Sequence, residues 1–197
     1  MSCNTPTSAE SAKLFRPPAF FRVQWLGFRV AACLLAANAA LAAAPRTLLF
    51  YGDSLTAGYG LDPDEAYPAL IQHKADAAGL AWRVVNAGLS GETTAGGLRR
   101  LDWILRQPVD IFVIELGGND GLRGLEPEVT RANLQAMIDR IRARYPHVTI
   151  VLAGMQIPTN MGPVYAEAFA RIYPELAQKN GVALIPFLLA GVGGVPE

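Results

Sequence analysis

From residue 46 onward, short apolar runs rich in branched side chains alternate with stretches in which apolar residues recur every three or four positions. The runs at 47–51, 82–86, 110–115, 148–153 and 183–186 have the length of buried strands, and the stretches between them have helical period. Leu98, Leu101, Ile104 and Leu105 form one stripe, Leu134, Met137, Ile138 and Ile141 a second, and Tyr165, Phe169, Ile172 and Leu176 a third. Each stripe is expected to face the sheet. Pro174 falls inside the third helix, where its missing N–H and its ring are expected to kink or split it. Alternation of this kind builds a parallel sheet wrapped by helices, so the expected class is α/β with five strands.

The first 44 residues follow another pattern. Arg16, Arg22 and Arg29 precede an uncharged stretch at 30–44 that ends in Ala-Leu-Ala-Ala-Ala before Pro45. That is the layout of a secretory signal peptide, with cleavage near Ala42 to Ala44 and export to the periplasm or beyond. The apolar run is short for a bilayer span, which needs about 20 residues, so an uncleaved anchor is the weaker reading and no stable span is expected once the leader is removed. The expected organisation is a signal peptide at 1–44 and one domain at 45–197.

Composition narrows the partners. The chain has 197 residues, 51% of them hydrophobic, which is enough for one core. Lys plus Arg and Asp plus Glu stand at 17 each, so no net field draws in nucleic acid or an acidic surface. A small or neutral partner and a monomer are expected. Cys3 and Cys33 both lie in the leader, leaving the mature chain without disulfide or thiol chemistry. No His, Cys or carboxylate cluster has ligand spacing, so neither a metal nor another cofactor is expected. Arg99, Arg100 and Arg106, and again Arg140, Arg142 and Arg144, fall largely off the apolar stripes and read as solvated helix faces.

Three polar, glycine-containing segments follow the first three strands: Gly52-Asp53-Ser54-Leu55, Ser90-Gly91-Glu92-Thr93 and Gly117-Gly118-Asn119-Asp120. In a doubly wound sheet of order 2-1-3-4-5, the loops after strands 1, 2 and 3 lie side by side at the carboxyl edge, beside the switch point where ligands bind. Ser54, at a strand-to-helix turn, can present both its hydroxyl and its backbone N–H. Gly91 lets a substrate approach a bare N–H, and Asn119 offers an amide donor. Together they can form an oxyanion hole around a serine nucleophile, in which each donor is worth about 3 to 4 kcal/mol. Each segment alone is an ordinary turn; the weight lies in their order and in their placement directly after strands. Asp53 and Asp120 read as hydrogen-bonding props for these loops. A nucleotide site at the switch point is set aside, because no Gly-x-x-x-x-Gly-Lys-Ser/Thr follows the first strand and residues 52–60 hold no lysine.

These residues resemble the SGNH, or GDSL, hydrolases, whose four named positions are Ser, Gly, Asn and His. Ser54, Gly91 and Asn119 match the first three. The segments at 51–60 (Tyr-Gly-Asp-Ser-Leu-Thr-Ala-Gly-Tyr-Gly), 115–124 (Glu-Leu-Gly-Gly-Asn-Asp-Gly-Leu-Arg-Gly) and 155–158 (Met-Gln-Ile-Pro) are similar to the periplasmic thioesterase, lysophospholipase and arylesterase branch. The resemblance implies a flavodoxin-like three-layer sandwich and two-step acyl transfer through an acyl-serine. It implies small aryl esters, acyl thioesters or lysophospholipids as substrates. Leu122, Met155, Ile157 and Pro158 are the residues expected to border an acyl chain.

One part of that pattern is missing. A serine hydroxyl is a poor nucleophile near neutral pH unless a base takes its proton, and the family places that histidine in an Asp-x-x-His segment after the fifth strand. The sequence has neither Asp nor His beyond residue 186. His73, in a helix, and His147, before the fourth strand, are expected to lie too far from Ser54 to replace it. The reading is of a domain truncated at its C-terminus, lacking its last helix and impaired in catalysis. The alternative is a non-catalytic acyl- or carbohydrate-binding module of the same fold.

Overall fold

A computed structural model describes residues 44–193; the leader reading at 1–44 therefore falls almost wholly outside the described residues. Five parallel strands, β1 (Arg46–Gly52), β2 (Trp82–Asn86), β3 (Ile111–Glu115), β4 (Thr149–Ala153) and β5 (Ala183–Ile185), form one sheet in the order β2-β1-β3-β4-β5. This is the expected 2-1-3-4-5 arrangement, with each strand within a residue of its predicted bounds. Around it run α1 (Ser54–Ala57), α2 (Tyr67–Ala77), α3 (Thr94–Ile104), α4 (Gly118–Leu122), α5 (Pro127–Arg144) and α6 (Pro163–Asn180).

Strand pleating sends alternate residues to opposite faces. On one face Leu49, Tyr51, Phe112, Ile114, Ile150 and Leu152 share a single buried cluster with the stripes of α3, α5 and α6. Leu134, Met137, Ile138 and Ile141 of α5 are fully enclosed there. Burying each such side chain is worth about 1.5 to 3 kcal/mol. The opposite face packs on α2, with the Phe50 and Tyr67 rings edge to face at 5.2 Å. Cover is thinner there: Ile111 and Val151 are half-buried and Ile185 is 37% exposed.

Two helix details matter. Pro174 neither splits nor ends α6, which is one continuous helix to Asn180. Its ring sits on the exposed side while Ile172, Tyr173, Leu176 and Ala177 are buried on either side of it, and that burial outweighs the roughly 3 kcal/mol an internal proline costs. No helix among the described residues is long and apolar enough to cross a membrane. Strand β1 has its neighbours β2 and β3 on opposite sides, so the loops leaving all three converge at the carboxyl edge.

Candidate active site

The chain leaves β1 through Gly52 and Asp53 and enters the single turn of α1 at Ser54. Asp53 caps that turn, its Oδ1 accepting from the Leu55 N–H at 3.0 Å. Gly58, left-handed at φ +75°, then reverses the chain. Ser54 is half-buried and lines a crevice of about 470 Å³. Its backbone N–H has no intramolecular acceptor among the described residues, so hydroxyl and amide are presented together.

Asn119, in the short helix α4, ties the three loops to one another. Its Nδ2 donates to Asp53 Oδ2 at 3.0 Å and to the Glu92 carbonyl at 3.1 Å. Both amide hydrogens are therefore engaged, and one of these bonds must be shared before Asn119 can serve a developing oxyanion. Gly91 sits at φ +78°, a conformation that disfavours any Cβ. An added Cβ there would meet only Arg123 Nη2, at 3.8 Å, so the conformation rather than crowding calls for glycine. The Gly91 N–H, like that of Ser54, has no intramolecular acceptor among the described residues. Gly91 does not line the Ser54 crevice; it lines a second cavity, together with Glu92 and Arg123.

The two aspartates sit at different depths. Asp53 lines the crevice, and burial pushes its carboxyl above the usual range, opposed by the bonds from Leu55 and Asn119. Asp120 points away: its carboxylate accepts from the Thr94 N–H at 2.8 Å and the Thr94 hydroxyl at 2.5 Å, fastening α4 to the first turn of α3.

Sequence reasoning missed two buried acids behind these loops. Glu115, the last residue of β3, is fully buried. Its Oε2 accepts from the Asp53 N–H at 3.2 Å and the Thr56 hydroxyl at 2.6 Å, and Thr56 is within 2.7 Å of the Tyr67 hydroxyl. Burial, with the Asp53 charge second, raises its carboxyl to about 8. Gly52 makes room for it, since a Cβ would lie 2.2 Å from Glu115 Oε2. Glu92, behind Gly91, is also buried but holds an ion pair with Arg100. Arg100 also donates to the Ala87 carbonyl at 2.9 Å and lies over the Tyr51 ring at 4.5 Å. The expectation of a solvated Arg100 is thus corrected: its long side chain folds back from α3 over β1. The available signal was an acid closing an apolar strand, at Glu115, and an acid inside a glycine turn, at Glu92.

Leu122, Met155, Ile157 and Pro158 all line the Ser54 crevice, joined by Leu55, Gln156, Phe187 and Leu189, which were not foreseen. α4 can approach the 155–158 segment because residue 121 is glycine; a Cβ there would lie 2.3 Å from Ile157 Cγ2. His147 precedes β4, at the amino edge of the parallel sheet, and His73 is exposed on α2; neither lines the crevice. Among the described residues no group of His, Cys, Asp and Glu could hold a metal ion.

Comparison with known proteins gives a consistent picture. A family model described as GDSL-like Lipase/Acylhydrolase matches residues 50–195. The chain is similar to "Esterase TesA" of Pseudomonas aeruginosa, 47% identical over 154 residues covering 78% of this chain and 76% of that protein. It is also similar to "Thioesterase 1/protease 1/lysophospholipase L1" of Escherichia coli strain K12, 42% identical over 161 residues covering 79% and 73%. Among solved structures, AlinE4, an SGNH-hydrolase family esterase, superposes with a TM-score of 0.73 at 44% identity, covering 77% of this chain and 81% of that one.

Proposed function

From the premise that this chain belongs to the GDSL-like Lipase/Acylhydrolase family, we propose that it is a serine ester hydrolase working through an acyl group on Ser54. The observation that carries this reading is the Asn119 amide, bonded at once to the Ser54 turn through Asp53 and to the Gly91 loop through Glu92. The Ser54 hydroxyl adds to the ester carbonyl and gives its proton to a base. The resulting oxyanion is held by the N–H groups of Ser54 and Gly91 and by Asn119, donors fixed in place before the reaction. Collapse expels the alcohol or thiol, which takes up the proton, and water then releases the acid by the same route. Asp53 and Asp120 keep the loops in register. Leu122, Met155, Ile157 and Pro158 would hold an acyl chain, and their apolar character suits one.

Small aryl esters, acyl thioesters and lysophospholipids are the substrates this reading favours, and the name of the Escherichia coli relative supports the last two classes. The leader at 1–44 would direct the protein to the periplasm, where it would act as a monomer.

The base is neither His73 nor His147, by the placement given above. The reading assigns it to a histidine in an Asp-x-x-His segment following β5. Joined to such a segment, the chain hydrolyses p-nitrophenyl esters. Ser54→Ala lowers that turnover by on the order of a million-fold; activity that survives the substitution refutes the proposal. The placement of both histidines outside the crevice also favours a second reading, a non-catalytic module that binds an acyl chain or a sugar. In that case the unextended chain binds its ligand and Ser54→Ala leaves the affinity unchanged.

A further inference from the structure

A second cavity, about 520 Å³, opens beyond the Gly91 loop and is lined by Gly91, Thr93, Arg99, Arg100 and Arg123 together with the buried Glu92. Three arginines and one acid thus line the cavity, and the acid is already engaged by Arg100. Arg99 and Arg123, like Arg83, Arg106, Arg142 and Arg144, have no carboxylate within 4.0 Å among the described residues, but of these only Arg99 and Arg123 line this cavity. Arg123 is nevertheless held in place: its Nη2 donates to the Gly91 carbonyl at 3.0 Å. That bond sets the guanidinium beside the proposed oxyanion loop and leaves its remaining N–H groups without a protein acceptor among the described residues. The chain carries no net charge, so the positive potential here is local; Leu122, next to Arg123 in the chain, lines the apolar crevice.

We propose that Arg99 and Arg123 form a subsite for a phosphate carried on the alcohol or thiol side of the substrate, while the acyl chain enters the Ser54 crevice. This rests on the ester-hydrolase reading and adds to it the side chains that would hold a phosphate on the leaving group. Guanidinium forks match phosphate oxygens with paired, charge-assisted hydrogen bonds. A cavity with surplus positive charge also concentrates anions before they dock. Arg100 contributes little, since Glu92 neutralises it. The phosphate is bound and released unchanged.

The test is calorimetric binding to the full chain of two matched pairs of short ligands. One pair is a monohexanoyl glycerophosphate against monohexanoylglycerol; the other is hexanoyl phosphopantetheine against hexanoyl pantetheine. At low salt the phosphate-bearing member of at least one pair binds about ten-fold more tightly, and the pair showing the effect identifies the source of the phosphate. The preference shrinks as ionic strength rises to about 0.15 M. Arg99→Glu, at an exposed position in the proposed phosphate subsite and outside the Ser54 crevice, removes it by weakening the phosphate-bearing member, and Arg123→Lys retains only part of it. Equal affinities within both pairs overturn the subsite alone, as does a preference that survives Arg99→Glu. If neither member of either pair binds, the acyl crevice falls and the subsite with it.

Discussion

Behind the turn that carries Ser54 lies Glu115, and behind the loop that carries Gly91 lies Glu92. Both acids are buried; Glu115 reaches into the loop that carries Ser54, whereas Glu92 reaches from its own loop to Arg100 of α3, and they are held in opposite ways. Glu92 faces a guanidinium that also bonds the Ala87 carbonyl. Among the described residues Glu115 pairs with no cation and its Oε1 has no partner; it accepts from an amide and a hydroxyl, and the charge that acts on it is another carboxylate, Asp53. A buried acid with a cation stays ionised, whereas one without a cation is driven toward its neutral form. One side of the site is therefore pinned by an ion pair, and the other by a carboxyl whose proton belongs to the fold.

Breaking the ion pair should do the most damage. Glu92→Ala leaves a half-buried guanidinium over Tyr51 without its partner and is expected to destabilise the fold by about 3 kcal/mol, read as a lower urea midpoint. A midpoint unchanged from that of the parent would show that the pair does not hold the Gly91 loop.

The Glu115 side is sharpened by pH. Its folded value, about 8, lies above the ordinary 4.5, so the stability tied to its neutral form is complete below the ordinary carboxylate range. That stability is lost as pH rises through about 8. Glu115→Gln keeps a neutral group in place, so parent and variant should be equally stable in acid and diverge toward alkaline pH. There the variant is expected to be more stable, by on the order of 2 kcal/mol. Unfolding midpoints measured across that range check this; parallel curves for the two proteins would mean that Glu115 is ionised in the fold.

The same contrast marks what the sequence disclosed. Strand β2 was legible to the residue at 82–86, and the three polar segments were legible as loops, because glycine, serine and asparagine directly after apolar runs are local signals. Arg100 was not, because its position off the apolar stripe of α3 reads as solvent-facing, and only the tertiary path of its side chain back over Tyr51 shows otherwise. Glu115 was hidden for the same reason: an acid at the end of a strand looks like a boundary until Gly52 is seen to make room for it. Arg123 lies in a family-like segment, yet its bond to the Gly91 carbonyl joins residues 32 apart in sequence. Pro174 misled in the other direction, since the local penalty was plain and the flanking burial that offsets it was not.

The most direct measurement is mass-spectrometric mapping of the residue modified when the chain, joined to a terminal Asp-x-x-His segment, is treated with a p-nitrophenyl alkylphosphonate. The expected result is a single phosphonyl adduct on Ser54, formed as p-nitrophenol is released and lost in Ser54→Ala. An adduct on any other residue, one retained by Ser54→Ala, or no adduct at all would contradict the assignment of Ser54 as the nucleophile.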